Sequence, residues 1–302
     1  MLTLSGSMVA LVTPFKGGVL DEPAFRAHAR WMLGAGIDGL VPAGTTGEGA
    51  TLSAAEAVAT VRICVEEAMA HAEKAGGAPR PVIAGCGTNA TSSTIENVRR
   101  AREAGADAAL VVTPYYNKPS QEGLFRHFEA VARGGGLPVV LYNVPGRTSV
   151  DLLPDTIARL AKVPGIVGVK EASGNIARVA ELREKAPTMA ILAGDDMFAL
   201  ATLSMGGHGV ISVAGNVAPA DLSLLCDAWV DGNREVAASV QTRFAPLVRA
   251  LFIESNPMPV KYMLERMGRM SGELRMPLCP VTAESAAKID AALAAYGIGV
   301  QA

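Results

Sequence analysis

The stretch Ile166-Val167-Gly168-Val169-Lys170-Glu171-Ala172-Ser173-Gly174-Asn175 decides the reading of this chain. A short apolar run suited to a strand buried on both faces leads straight into a lysine, and a polar turn follows at once. A protein interior disfavours a charged amine. A lysine in this place is therefore either a long stem that reaches water or an amine kept for chemistry. A neutral lysine amine attacks a ketone and forms a Schiff base. The segments on either side choose between the two.

Seven other runs share the character of Ile166–Lys170: Met8–Thr13, Gly39–Pro42, Pro81–Gly85, Ala108–Thr113, Pro138–Asn143, Ala190–Gly194 and Gly209–Val213. Helical periodicity fills the gaps, over Glu22–Leu33, Ala54–Ala72, Ser92–Ala104, Gln121–Ala132, Leu153–Leu160, Ile176–Lys185, Met197–Met205 and Pro219–Val230. Ser53 with Glu56 forms a capping-box pattern, and glycines close the helices near Gly34 and Gly105. Eight strand–helix units of this kind predict an α/β fold, a (β/α)8 barrel of about 250 residues. An open doubly wound sheet fits less well, because no Gly-x-Gly-x-x-Gly opens the first helix. Asp231-Gly232-Asn233 reads as a break. The expected organisation is a catalytic barrel over residues 1–232 and a C-terminal helical appendage over 233–302, with helices at Glu235–Leu251, Pro259–Met267 and Ala283–Ala295. The loop Ala75–Arg80 is expected to be flexible and exposed.

The bulk properties narrow the functional classes. The chain has 302 residues, half of them hydrophobic, and 27 basic against 29 acidic side chains. Nothing in that balance suggests a nucleic-acid or membrane partner. The apolar runs are too short to span a bilayer, and the N-terminal residues lack a basic n-region. Cys64, Cys86, Cys226 and Cys279 are scattered, as are His28, His71, His127 and His208, so neither disulfides nor a metal motif are expected. These features together predict a cytoplasmic protein with reduced thiols.

In a barrel of this kind the site lies at the C-terminal ends of the strands. After the second run stands Gly44-Thr45-Thr46-Gly47-Glu48-Gly49, after the fourth Thr113-Pro114-Tyr115-Tyr116-Asn117-Lys118-Pro119, and after the fifth Tyr142-Asn143-Val144-Pro145-Gly146-Arg147-Thr148. Lys170 ends the sixth, Gly194-Asp195-Asp196 the seventh, and Gly207–Ser212 covers the eighth. The Thr45–Thr46 turn offers hydroxyls and free N–H groups to a carboxylate. Tyr142 can shuttle protons during imine formation. Arg147 can clamp a second carboxylate bidentately. Tyr115-Tyr116 forms a rigid aromatic loop between prolines. Taken singly, each has a plainer reading: a capped turn, a packed ring, an exposed loop arginine, an aromatic packing surface. Their coincidence at successive strand ends is what selects chemistry.

Gly44-Thr45-Thr46-Gly47-Glu48, Tyr115-Tyr116-Asn117, Tyr142–Thr148 and Val169-Lys170-Glu171-Ala172 stand in the order found in one family. The chain resembles the pyruvate-dependent class I aldolase family of dihydrodipicolinate synthase and N-acetylneuraminate lyase, from about Gly6 to the C-terminal helices. Tyr142…Arg147 points to the synthase branch, since sugar-acid lyases usually lack that arginine. The resemblance implies condensation of pyruvate with L-aspartate 4-semialdehyde, without metal or organic cofactor. It implies that Lys170 forms the Schiff base, Tyr142 exchanges protons there, and Thr45 links Tyr142 to a Tyr116 supplied by the neighbouring subunit of a homotetramer. Thr46 would hold the pyruvate carboxylate, Ile211 would offer its main-chain carbonyl, and Arg147 would bind the semialdehyde carboxylate. Gly49, Ala54, Ala57 and Ser93 stand where lysine-inhibited members carry polar groups, although Asn89 and Tyr115 remain, so weak or absent inhibition by L-lysine is expected. The competing readings are a related aldolase acting on a keto sugar acid and a catalytically silent binding barrel.

Overall fold

The computed structural model describes residues 2–300. Eight strands form one parallel sheet: β1 (Gly6–Ala10), β2 (Gly39–Val41), β3 (Ile83–Gly85), β4 (Ala108–Val112), β5 (Val139–Asn143), β6 (Ile166–Glu171), β7 (Ala190–Ala193) and β8 (Gly209–Ser212). Their spatial order is β2-β1-β8-β7-β6-β5-β4-β3. A parallel bridge between Leu40 and Val82, with Gly85 N donating to Pro42 O at 2.9 Å, joins the two ends. The sheet is therefore the (β/α)8 barrel that the alternation of runs predicts.

The period of two along each strand builds two apolar layers. Met8, Val41, Ile83, Leu110, Val140 and Leu192 point inward and pack on one another. Val9, Leu40, Val111, Leu141, Val169 and Ile191 point outward, into the larger layer beneath the helices. Those helices are α1 (Glu22–Gly34), α2 (Ala54–Ala75), α3 (Thr91–Glu103), α4 (Gln121–Gly135), a short α5 (Pro145–Thr148), α6 (Pro154–Leu160), α7 (Ala177–Lys185), α8 (Ala199–Ser204) and α9 (Pro219–Val230). The capping box of α2 forms in full: Glu56 N donates to Ser53 Oγ while the Glu56 carboxylate accepts from Ser53 N at 2.9 Å.

Three local differences from the sequence expectation have physical causes. β1 covers Gly6–Ala10 and stops before Thr13, because the backbone turns away after Leu11 N has bonded to Val41 O. The expected helix Met197–Met205 splits into a 3-10 turn, Asp196–Phe198, and α8; Asp195 caps the turn by accepting from Met197 N at 2.9 Å. A small antiparallel hairpin, Phe15–Lys16 with Val19–Leu20, precedes α1, with Gly17 and Gly18 at its tip. The loop from Gly76 to Arg80 is exposed along its whole length.

After Gly232 the described chain carries three helices, α10 (Arg234–Leu251), α11 (Met258–Arg266) and α12 (Ala283–Tyr296). α10 packs on α8 and α9, and α12 packs on α10 and α11. Gln241 on α10 ties this layer to the end of β7: it accepts from Leu200 N at 3.1 Å and donates to Asp196 O at 3.0 Å. Cys64, Cys86 and Cys226 are buried and Cys279 is exposed. Burial pushes the Cys86 thiol up to about 12. Among the described residues, no helix is long and apolar enough to cross a membrane.

Candidate active site at the barrel mouth

On the inward row of β6, Gly168 is followed by Lys170, in register with Tyr142 on β5 and Leu192 on β7. Lys170 is only 5% exposed, and its Nζ lies 4.4 Å from the centre of the Tyr142 ring. Gly194 makes room for it. A Cβ at that position would stand 3.2 Å from Lys170 Cε, 2.7 Å from Ala172 Cβ and 3.0 Å from Glu171 O. The amine opens on a cavity of about 130 Å3, bounded by Thr45, Thr46, Tyr142, Arg147 and Asn256. One water needs about 10–15 Å3 of such space, so a small organic acid fits.

The turn after β2 forms one wall, and its backbone is strained. Ala43 (φ 57°) and Glu48 (φ 52°) both occupy the left-handed region, where a side chain is disfavoured. Glycine is required between and beside them: a Cβ at Gly49 would meet Ala43 O at 2.2 Å, and one at Gly47 would meet Leu11 O at 2.9 Å. Thr13 Oγ1 donates to Gly47 O at 2.7 Å from below. Thr46 is buried, and Asn256 Nδ2 donates to its Oγ1 at 3.0 Å. The main-chain carbonyl of the same asparagine accepts from Arg147 Nη2 at 3.1 Å. One residue from beyond α10 thus touches both candidate carboxylate grips.

Behind the turn lies an ion pair with no exposed side-chain surface on either partner. Lys261 Nζ on α11 donates to Glu48 Oε1 at 2.6 Å, and Glu48 Oε2 accepts from Arg275 N at 3.0 Å. The Lys261 ammonium also rests 4.3 Å from the centre of the Phe15 ring. Burial pulls the Lys261 amine below its ordinary value, and the Glu48 carboxylate opposes that pull.

Buried polar groups fix the other strand ends. Asp196 accepts from Ser212 Oγ, from Val213 N at 3.0 Å and from Ala214 N at 3.2 Å; burial raises its carboxyl above the ordinary range despite these donors. Asn216 Nδ2 donates to Ala10 O at 2.8 Å and to Val213 O at 3.0 Å, which ties the ends of β1 and β8 together. Asn216 Oδ1 accepts from Val12 N at 3.2 Å and from His28 Nε2 at 2.9 Å. On the far side, Asn143 Nδ2 donates to Asp151 at 3.0 Å and to Glu171 at 3.2 Å. The Arg178 guanidinium holds the Asp151 carboxyl below its usual range.

The structure brings Lys170, Tyr142, Thr45, Thr46 and Arg147 around one cavity. Ile211 is fully buried on the inward row of β8, paired with Met8, and its side chain does not line that cavity. Tyr116 stands apart within the chain: it is 88% exposed, in the left-handed region at φ 73°, and outside the lining of the mouth. Sequence reasoning missed Asn256, Lys261 and the Lys170-facing role of Gly194. A signal existed for two of them. Asn256-Pro257 is a turn dipeptide inside an otherwise helical region, and Lys261 interrupts the buried row of Val260, Met263 and Leu264.

A second cavity, of about 550 Å3, adjoins the first. Gly49, Ala54, Ala57, Val58 and Tyr115 contribute to its wall, and Thr45, Tyr142 and Arg147 border both spaces. Among the described residues no group of three or more His, Cys, Asp or Glu side chains is disposed to hold a metal ion.

Fold and site together define a (β/α)8 barrel built around a buried lysine amine, the arrangement of a Schiff-base aldolase. The model of the dihydrodipicolinate synthetase family matches residues 3–296, and the chain belongs to that family. It is 50% identical over 300 residues to the 4-hydroxy-tetrahydrodipicolinate synthase of Anaeromyxobacter sp. (strain K), covering 99% of both chains. The dihydrodipicolinate synthase of Aquifex aeolicus superposes with a TM-score of 0.93 at 36% identity, over 99% of this chain and 100% of that one. The chloride-inhibited dihydrodipicolinate synthase of Acinetobacter baumannii, complexed with pyruvate, gives 0.92 at 41% identity, over 98% of this chain and 100% of that one.

Proposed function

We infer that this chain condenses pyruvate with L-aspartate 4-semialdehyde to give 4-hydroxy-tetrahydrodipicolinate, on the way to diaminopimelate and lysine. The observation that carries the reading is the buried Lys170 amine sharing one cavity with Thr45, Thr46, Tyr142 and Arg147, in a chain similar over its length to synthases. Lys170 Nζ adds to C2 of pyruvate, and water leaves to give a protonated imine, which then acts as the electron sink. Loss of a proton from C3 gives the enamine. Its C3 attacks the aldehyde carbon of the semialdehyde, whose oxygen takes up a proton and becomes the hydroxyl. The amine of the adduct then attacks C2 and displaces Lys170, closing the ring.

Tyr142 serves as the proton carrier at the imine. A phenol beside the amine supplies a proton without adding a competing charge. Thr45 relays protons between Tyr142 and Tyr116, which a neighbouring copy of the chain supplies; its exposure here suits that role. Thr46 holds the pyruvate carboxylate, the Ile211 carbonyl faces the substrate, and Arg147 takes the semialdehyde carboxylate. The working assembly is a cytoplasmic homotetramer built from dimers, with the barrel over residues 1–232 carrying the catalytic groups. The test is turnover of both substrates coupled to NADPH oxidation by the downstream reductase. Turnover that disappears in Lys170→Ala is expected. Absence of turnover with pyruvate still trapped on Lys170 by borohydride would move the acceptor to another aldehyde.

A further inference from the structure

The Glu48–Lys261 pair poses a problem of cost. Burying two opposite charges without solvent contact gains little stability, and an apolar pair of similar volume commonly does as well or better. Here neither side chain has exposed surface. The pair lies directly behind the turn whose Thr46 forms the cavity wall, and Glu48 itself is held at φ 52°. Strained backbone of this kind persists when its surroundings over-determine it. Lys261 Nζ at 2.6 Å and Arg275 N at 3.0 Å hold the two carboxylate oxygens of Glu48 from the C-terminal side, while Thr13 holds Gly47 from the barrel side. Phe15, fully buried, packs its ring against the Lys261 ammonium at 4.3 Å and the Arg275 guanidinium at 4.2 Å. The Glu48–Lys261 pair has no exposed side-chain surface and no place in the imine chemistry. Its side chains reach that chemistry through the turn.

We propose that Lys261 is a positioning residue for the keto-acid subsite: through Glu48 it sets the Gly44–Glu48 turn in the conformation that presents Thr46 to the pyruvate carboxylate. This rests on the Schiff-base reading above and adds to it a residue on α11 that never meets substrate. The turn carries strain at both ends, so releasing one anchor lets Glu48 relax and carries Thr46 with it. The effect falls on recognition of the keto acid. The acceptor clamp at Arg147 keeps its own support, the Asn256 carbonyl.

The experiment is borohydride trapping of pyruvate on the full-length protein, titrated in pyruvate, so that it needs no acceptor aldehyde. Lys261→Met alone leaves Glu48 buried and unpaired and is expected to lower the melting temperature sharply. The double variant Glu48→Gln/Lys261→Met removes that charge. It is expected to melt within a few degrees of the parent, to need about tenfold more pyruvate for half-maximal trapping, and to reach the same trapping rate at saturation. Glu48→Gln alone keeps the contact without the charge and is expected to shift half-saturation about threefold. A double variant that folds and traps with the parent's half-saturation overturns the proposal. So does a loss of saturating rate with half-saturation unchanged, which would make the cluster merely structural. Where the double variant does not fold, an unshifted Glu48→Gln overturns it. Trapping that works in the parent without semialdehyde turnover would count against the acceptor assignment alone, and the pyruvate titrations would still decide the role of Lys261.

Discussion

Replacing Arg147 by alanine separates the two carboxylate subsites. Arg147 lies on α5, just after the end of β5, with one Nη committed to the Asn256 carbonyl at 3.1 Å and the rest of its fork open at the cavity edge. Charge-assisted hydrogen bonds to a carboxylate are worth about 1.5–3 kcal/mol, and the exposure of this loop places the effect at the lower end of that range. The expected result is a rise of roughly 10- to 30-fold in KM for L-aspartate 4-semialdehyde. Half-saturation of pyruvate trapping should stay within about twofold, since Thr46 keeps its hydrogen bond from Asn256 Nδ2. Steady-state kinetics with each substrate varied in turn, beside borohydride trapping, gives both numbers. Equal losses for both substrates, or a loss confined to pyruvate, would refute the assignment of Arg147 to the acceptor. The expected pattern is the mirror image of that for Lys261, so the two sets of variants check each other.

Other perturbations follow from the same geometry. Gly194→Ala drives a Cβ to 2.7 Å from Ala172 Cβ and 3.0 Å from Glu171 O, and backbone cannot yield as a flexible side chain would; trapping at saturating pyruvate should fall about a hundredfold, as for other small misplacements of a reacting group, and a near-normal rate would contradict the packing around Lys170. His28 is held neutral by burial, with its value pulled from 6.5 down to about 4, so its stabilising contribution is present above the unfolded value and is lost as pH falls toward the folded one. Between pH 7 and pH 5 that loss should reach about 2 kcal/mol. His28→Gln keeps a donor for Asn216 but cannot titrate, so urea unfolding of this variant should show a shallower loss over that interval, and an unchanged pH dependence would rule His28 out as a source. L-lysine at several millimolar should leave turnover nearly unchanged, because Gly49, Ala54 and Ala57 present no polar group to the larger cavity; half-inhibition below one millimolar would show that other residues bind it.

The barrel was legible because its signal is repeated. Each strand is an apolar run followed by a polar turn, and eight such runs at βα spacing admit few other topologies. The residues at the mouth were legible for a related reason: Lys170, Tyr142 and Arg147 sit at or just past strand ends, where side chains converge on the cavity at the mouth. What could not be read were contacts made across long sequence separations. Asn256 meets Thr46, and Lys261 meets Glu48, only once α11 has docked. Periodicity within the C-terminal region marks a helix and a buried face but does not say what the face meets. The end of β1 was misplaced because Leu11 and Val12 are as buried as a strand while their backbone already turns toward Asn216. Tyr116 shows a different limit. Its assignment to a neighbouring copy came from the family resemblance, and its exposed, left-handed placement within the chain depends on loop geometry that composition does not encode.

The anchors behind the Thr45–Thr46 turn also bear on when the protein becomes competent during synthesis. Every strand, and every side chain proposed to touch substrate, is translated before α11 and Arg275, as is Asn256. At about 5–20 residues per second, a nascent chain spends several seconds with all eight strands made and Glu48 still lacking both of its partners. During that interval the strained turn keeps the Thr13 bond to Gly47 but has neither of the donors that hold Glu48. Recognition of pyruvate would therefore come late in synthesis, with docking of the C-terminal helices, and a chain stalled before Lys261 would bind the keto acid poorly even where Lys170 is already in place.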